Sequence, residues 1–111
     1  MRKFIKNIDH RKAFQLADQV DYQNGQIVSK TLAQNDSHSL TLFAFEKGEE
    51  ISSHESTGDA LVLVLDGEGK ITVGGEEFIL KTGDAIVMPA GVPHAVCAKE
   101  RFKMILTVIF N

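Results

Sequence analysis

GEEISSHESTGDALVLVLDG, residues 48–67, opens on a turn glycine and passes through a polar, small-residue segment around His54. It then enters the apolar run ALVLVL and ends on Asp66-Gly67. Six consecutive apolar residues between turn formers read as a strand. GDAIVMPAGVPHAVCA, residues 83–98, repeats the plan with a glycine, a short apolar strand, a turn and a histidine. Pro89 and Pro93 each fix their own φ and push the preceding residue toward extended backbone, so His94 is presented from a stiff turn. The same prolines serve equally to end one strand and begin the next.

Working outward, β-branched and aromatic runs alternate with Gly- or Asx-rich breaks from about residue 20 onward. Strands are expected at 26–33, 39–46, 49–53, 60–65, 70–73, 76–81, 84–89, 94–98 and 101–110, with hairpin turns at Asp66-Gly67 and Gly74-Gly75. Such a series points to a sandwich or barrel rather than to alternating βα units. The one helix expected is Asp9 to about Asp18, where Asp9 caps an apolar face of Ala13, Phe14, Leu16 and Ala17. Residues 1–22 thus form an N-terminal arm with a short helix, and 23–111 the barrel domain. SLTLFAFE and RFKMILTVIF are apolar on both parities, so each needs cover on two sides. One face fills the interior; the other is expected to meet a second sheet or a partner subunit, which predicts a homodimer.

The 111 residues fit one domain, and 43% hydrophobic with 24% charged residues is ordinary for a globular chain. A net charge of −3 gives no nucleic-acid footprint, and the series of strands leaves no room for a helix-turn-helix. The basic stretch MRKFIKNIDHRK reads as a solvated arm. No run approaches a membrane span and no signal-peptide pattern opens the sequence, so a cytoplasmic location is expected. Cys97, the single cysteine, fits a reducing compartment, and its offset from His94 makes it a small buried hydrophobe rather than a nucleophile. The sequon at Asn35 is then idle. Asp66, Glu68, Glu76 and Glu77 serve solubility and strand-edge protection, and the glycines at 67, 69, 74 and 75 match no phosphate loop.

The two quoted stretches share intervals. Gly48 is followed by His54, Ser56, Ala60 and Gly67; Gly83 is followed by Pro89, Gly91, His94 and Ala98. This pair resembles the motifs of the cupin family, G-x5-H-x-H-x3-E-x6-G and G-x5-P-x-G-x2-H-x3-N, at every interval. The resemblance implies an all-β fold, a double-stranded β-helix or jelly-roll barrel of the RmlC-like kind, with a pocket inside a single cupin domain. It also implies that the first motif's two histidines and glutamate, with the second motif's histidine, hold a divalent ion. Here His54 and His94 stand at ligand positions, whereas Ser56 replaces the second histidine and Ala60 the glutamate. A catalytic zinc takes three protein ligands and a non-haem iron two histidines and a carboxylate, so the site would have to be completed by Asp59, His38, water or substrate. Zn, Ni, Fe and Mn are the metals such a site would hold.

Without metal, His54 and His94 remain polar anchors beside Ser56, with Ala60, Val62 and Val64 as apolar wall, the usual makeup of a small-molecule pocket. Alanine in place of glutamate would enlarge that pocket for a less polar guest. The leading expectation is a small-molecule-binding barrel with metal optional. The alternatives are a divalent-metal-dependent dioxygenase or isomerase, and a sensor or protein-interaction module.

Overall fold

The computed structural model describes residues 3–110; Met1, Arg2 and Asn111, the ends of the two predicted segments, lie outside the described residues. The strands are β1 (Ile27–Gln34), β2 (His38–Phe45), β3 (Glu50–His54), β4 (Asp59–Val73), β5 (Glu76–Lys81), β6 (Ala85–Met88), β7 (His94–Cys97) and β8 (Phe102–Ile109). All pairings are antiparallel. One sheet runs β1-β2-β8-β4-β6 and the other β3-β7-β4-β5, with β4 shared between them. Together they form the jelly-roll barrel expected from the motifs.

The apolar run ALVLVL and the segment KITV are a single strand. Asp66-Gly67 makes no hairpin; a bulge between Val64 and Asp66 turns β4 from one sheet into the other. Gly67 sits there at φ +74°, and a Cβ on it would collide with the Arg101 carbonyl oxygen. Glycine is required by both the backbone and the close approach. Gly74-Gly75 does form the expected two-residue turn, with φ of 57° and 85° and Val73 paired to Glu76.

Cross-strand register assigns the faces. Inward on the larger sheet lie Phe43 and Phe45 of β2, Phe102, Met104, Leu106 and Val108 of β8, and Ala60, Val62 and Val64 of β4. They meet Ile71, Leu80 and Val96 of the other sheet in one core, where Phe45 and Phe102 stack at 4.8 Å. On the outward face, Leu42, Ala44, Val28 and Ile105 form a second cluster.

What covers that cluster is the chain's own arm. Val20 is buried in it, and Leu16, Tyr22 and Ile8 pack against it. Lys103, itself buried, reaches across from β8 and donates from Nζ to the Ala17 carbonyl at 2.6 Å. The Tyr22 hydroxyl donates to Asp66, with the Arg101 guanidinium 4.6 Å from the Tyr22 ring centre. Burial, and then the bond to the Asp66 carboxylate, push the Tyr22 phenol well above its ordinary 10.0. The helix expected at 9–18 is only a 3₁₀ turn at Leu16–Gln19. Arg11 stands at φ +61°, outside helical backbone, and the arm serves the sheet by lying along it. The arm thus covers part of the face expected to meet a second sheet or a partner subunit. Leu61, Val87 and Ile109 are large apolar side chains on the outward face that it leaves exposed.

Candidate functional site at the barrel mouth

His94 begins β7 and His54 ends β3, so both stand at one end of the barrel. Regular alternation would send His54 to the face opposite Ile51. Between Ile51 and His54, however, β3 carries a bulge: Ile51 pairs with Val96 and His54 pairs with His94. The extra residue turns His54 back onto the inner face. The rings meet edge to face, with centroids 4.3 Å apart and Nε2 of one 3.1 Å from Nε2 of the other. His94 is buried and His54 exposed, so the pair leads from the core to solvent.

The backbone fixes the hydrogens. His54 Nδ1 lies 3.0 Å from the Ser52 carbonyl and His94 Nδ1 lies 3.2 Å from the Val92 carbonyl. A carbonyl only accepts, so each Nδ1 carries the hydrogen and donates it. In the neutral rings both Nε2 atoms are then lone-pair acceptors, aimed at each other at contact distance. The contact is stable only when something positive or hydrogen-donating is shared between them. Burial, and secondarily the charge of His54, hold the His94 pKa below its ordinary 6.5 against the pull of the Val92 carbonyl.

The other expected site residues are placed differently. Ser56 lies in the loop after β3; its Oγ accepts from the Gly58 amide at 3.1 Å, and its carbonyl accepts from Gly91 N, tying the two motifs together. Glu55, Ser56, Thr57, Ala90 and Gly91 border an open hollow of about 530 Å³. Ala60, Val62 and Val64 are 2%, 0% and 1% exposed, leaving no room for a water molecule against them. Met88 and Val108 flank Ala60 on the same face and are buried with it, so the space a glutamate would need is filled with protein. The interior is packed around these three side chains. The register also brings up residues that the sequence did not single out: Thr41, Leu106 and Ile86 share Val62's inward rung and, unlike Val62, keep partial exposure. Only cross-strand register shows this.

Neither proposed third ligand reaches the histidines. Asp59 neighbours Ala60 on the opposite parity, and its Oδ1 accepts from the Ala90 amide at 2.8 Å. His38 pairs with Ile109, itself opposite Asp59 on the outward face. Its ring is held by Asn35 and Ser37. Among the described residues no three His, Cys, Asp or Glu side chains converge. Two nitrogens 3.1 Å apart match the roughly 2.9–3.4 Å between neighbouring ligands of one ion with bonds of about 2.0–2.1 Å. The carboxylate of a three-ligand centre has no counterpart. The donor set therefore does not fit a catalytic mononuclear centre held by the protein alone.

The Cupin domain family model matches residues 41–110, from β2 through β8. The chain belongs to the cupin family. This cupin superposes with a TM-score of 0.97 on a conserved protein of unknown function from Streptococcus pyogenes, at 41% identity over 99% of this chain and 96% of that one. A cupin superfamily protein from Desulfitobacterium hafniense matches with a TM-score of 0.92 at 34% identity, covering 96% and 98% of the two chains. A quercetin 2,3-dioxygenase of Bacillus subtilis is 31% identical over 75 residues, 66% of this cupin. The cupin spans only 22% of that enzyme's length. Among the described residues no helix is long and apolar enough to cross a membrane.

Proposed function

We propose that this cupin binds a small molecule at the barrel mouth, with His54 and His94 jointly accepting a hydrogen bond from a hydroxyl or N–H group of the guest. The observation that carries this reading is the paired Nε2 acceptors 3.1 Å apart, each ring oriented by an Nδ1–H bond to a backbone carbonyl. A donor entering between them relieves the lone-pair contact and replaces the water that would otherwise serve. The partly exposed inward side chains Leu106 and Ile86 supply apolar wall, and Thr41 and Ser56 supply polar edges. Val62 and Val64 are fully packed, so the guest is small.

The same convergence supports a second reading, in which a divalent ion shared by the two nitrogens takes its remaining ligands from the guest. Both Nδ1–H groups bonded to carbonyls are the outer-shell arrangement that orients metal-binding histidines. The dioxygenase likeness concerns a domain-sized part of a longer enzyme.

Matched pairs of phenols and their methyl ethers separate these readings in thermal-shift and calorimetric titrations. Stabilisation by the phenols alone, abolished in His54→Phe/His94→Phe, is the expected result. Zinc or nickel near one per chain, lost in the same variant, would install the second reading. Binding that ignores both the hydroxyl and the histidines would overturn both.

A further inference from the structure

A separate pocket lies outside the barrel, where the arm meets the β1–β2 hairpin. The Lys6 amide donates to the Leu32 carbonyl at 2.7 Å, and Asn7 Nδ2 donates to the Thr31 carbonyl at 2.7 Å, with Asn7 at φ +64°. These bonds hold residues 3–6 beside the end of β1. The cavity they enclose is about 330 Å³, at the small end of ligand-sized pockets, and is lined by Lys3, Phe4, Lys6, Gln34, Asn35 and His38, with Ala33 in its wall.

Among the described residues the pocket's lining includes two lysines and no carboxylate side chain; Asp36, in the adjoining loop, is not part of it. Neither Lys3 nor Lys6 has an ion-pair partner among the described residues. The hairpin side is preorganised. Asn35 Oδ1 accepts from the Ser37 amide, the Ser37 hydroxyl and the His38 amide. With Ser37 Oγ already donating to Asn35, His38 Nδ1–H donates to Ser37 Oγ, and His38 Nε2 accepts from Asn35 Nδ2 at 3.3 Å. That closed ring fixes His38 in its Nδ1–H form and leaves the second Nδ2 hydrogen of Asn35 available to a guest.

We propose that this pocket binds a small organic anion, a carboxylate held between Lys3 and Lys6 with its flat apolar body against Phe4 and Ala33. Two lysines without an ion-pair partner among the described residues, and an amide hydrogen of Asn35, select the negative charge, and the phenyl and methyl surfaces select the body. The site is independent of the histidine pair, so either can fail without the other.

Benzoate, benzyl alcohol and inorganic phosphate are titrated into the ¹⁵N-labelled full chain and followed by amide shifts. Benzoate is expected to move the amides of Ala33, Asn35 and His38 saturably, and benzyl alcohol to leave them in place. Lys3→Gln/Lys6→Gln should weaken benzoate at least tenfold with no change in melting temperature, and Phe4→Ala should weaken benzoate several-fold. Benzyl alcohol binding as well as benzoate, or unchanged affinity in the double lysine variant, would overturn the proposal. Phosphate binding as tightly as benzoate would remove the apolar body from it. Shifts confined to His54, Ser56 and His94 would place the anion in the barrel mouth and likewise refute this site.

Discussion

The larger sheet buries both of its faces, by different means. Inside, rungs such as Thr41-Leu106-Val62-Ile86 and Phe43-Met104-Val64 close against the second sheet, so strand pairing and core packing arise together. Outside, the same strands wait for a segment remote in sequence: Val20, Leu16 and Tyr22 settle on Leu42, Ala44 and Ile105 and are fastened by Lys103 and Asp66. The inner face is a property of the barrel, and the outer face is a docking event that polar anchors complete. A strand apolar on both parities therefore does not by itself call for a second subunit.

The sharpest way to break this contrast is to damage each face in turn. Phe102→Ala removes a fully buried ring stacked on Phe45 and should cost about 3–5 kcal/mol in chemical denaturation. A loss under 1 kcal/mol would mean that the inner face is not the dominant core. Tyr22→Phe deletes the hydroxyl that ties the arm to Asp66 and should cost about 1–2 kcal/mol. It should also raise hydrogen exchange in the arm ahead of the strands. Uniform exchange across arm and barrel would show that the two are one cooperative unit.

A smaller effect is expected at the mouth. The folded-state pKa of His94 lies below its ordinary 6.5, chiefly because burial disfavours the imidazolium, so the unfolded chain binds the proton more readily. Stability from this residue is present above about pH 6.5 and is lost as pH falls below that value. Denaturation midpoints should decline between about pH 7.5 and pH 5.5, and His94→Gln should flatten the decline. Glu46 titrates outside this window, because its hydrogen bonds from Arg101 and then from the Lys47 amide hold its carboxyl below the ordinary 4.5. An unchanged slope in the variant would refute the assignment to His94.

The smallest effect belongs to the outward patch that the arm leaves open. Leu61→Lys and Val87→Lys, at paired and exposed positions, should each change stability by less than about 0.5 kcal/mol. A larger loss, with a parent melting temperature that rises with protein concentration, would show that a second copy covers Leu61, Val87 and Ile109. That outcome would support the homodimer, on this smaller surface.

Much of this was legible in residue order. The glycines, Pro89 and their intervals to His54 and His94 encode turns and strand lengths, and those place two histidines at one end of a barrel. Asp59 and His38 were misleading as metal ligands because composition names a donor without its direction. Asp59 is taken by the Ala90 amide and His38 by the Asn35–Ser37 loop. The helix at 9–18 failed for a related reason: its apolar positions are real, but they serve the outer sheet from mostly non-helical backbone.

Local chemistry was enough to indicate an all-β sandwich or barrel and the Gly74-Gly75 turn, and the resemblance to the cupin motifs added the jelly roll and the loss of two ligand types at Ser56 and Ala60, because each depends on residue identity or short spacing. Only the tertiary structure decided that a β3 bulge aims His54 at His94, that Met88 and Val108 close the space beside Ala60, and that the arm shields the second apolar face. These depend on cross-strand register and on contacts between distant segments, and a one-residue shift in register reverses every side chain that follows.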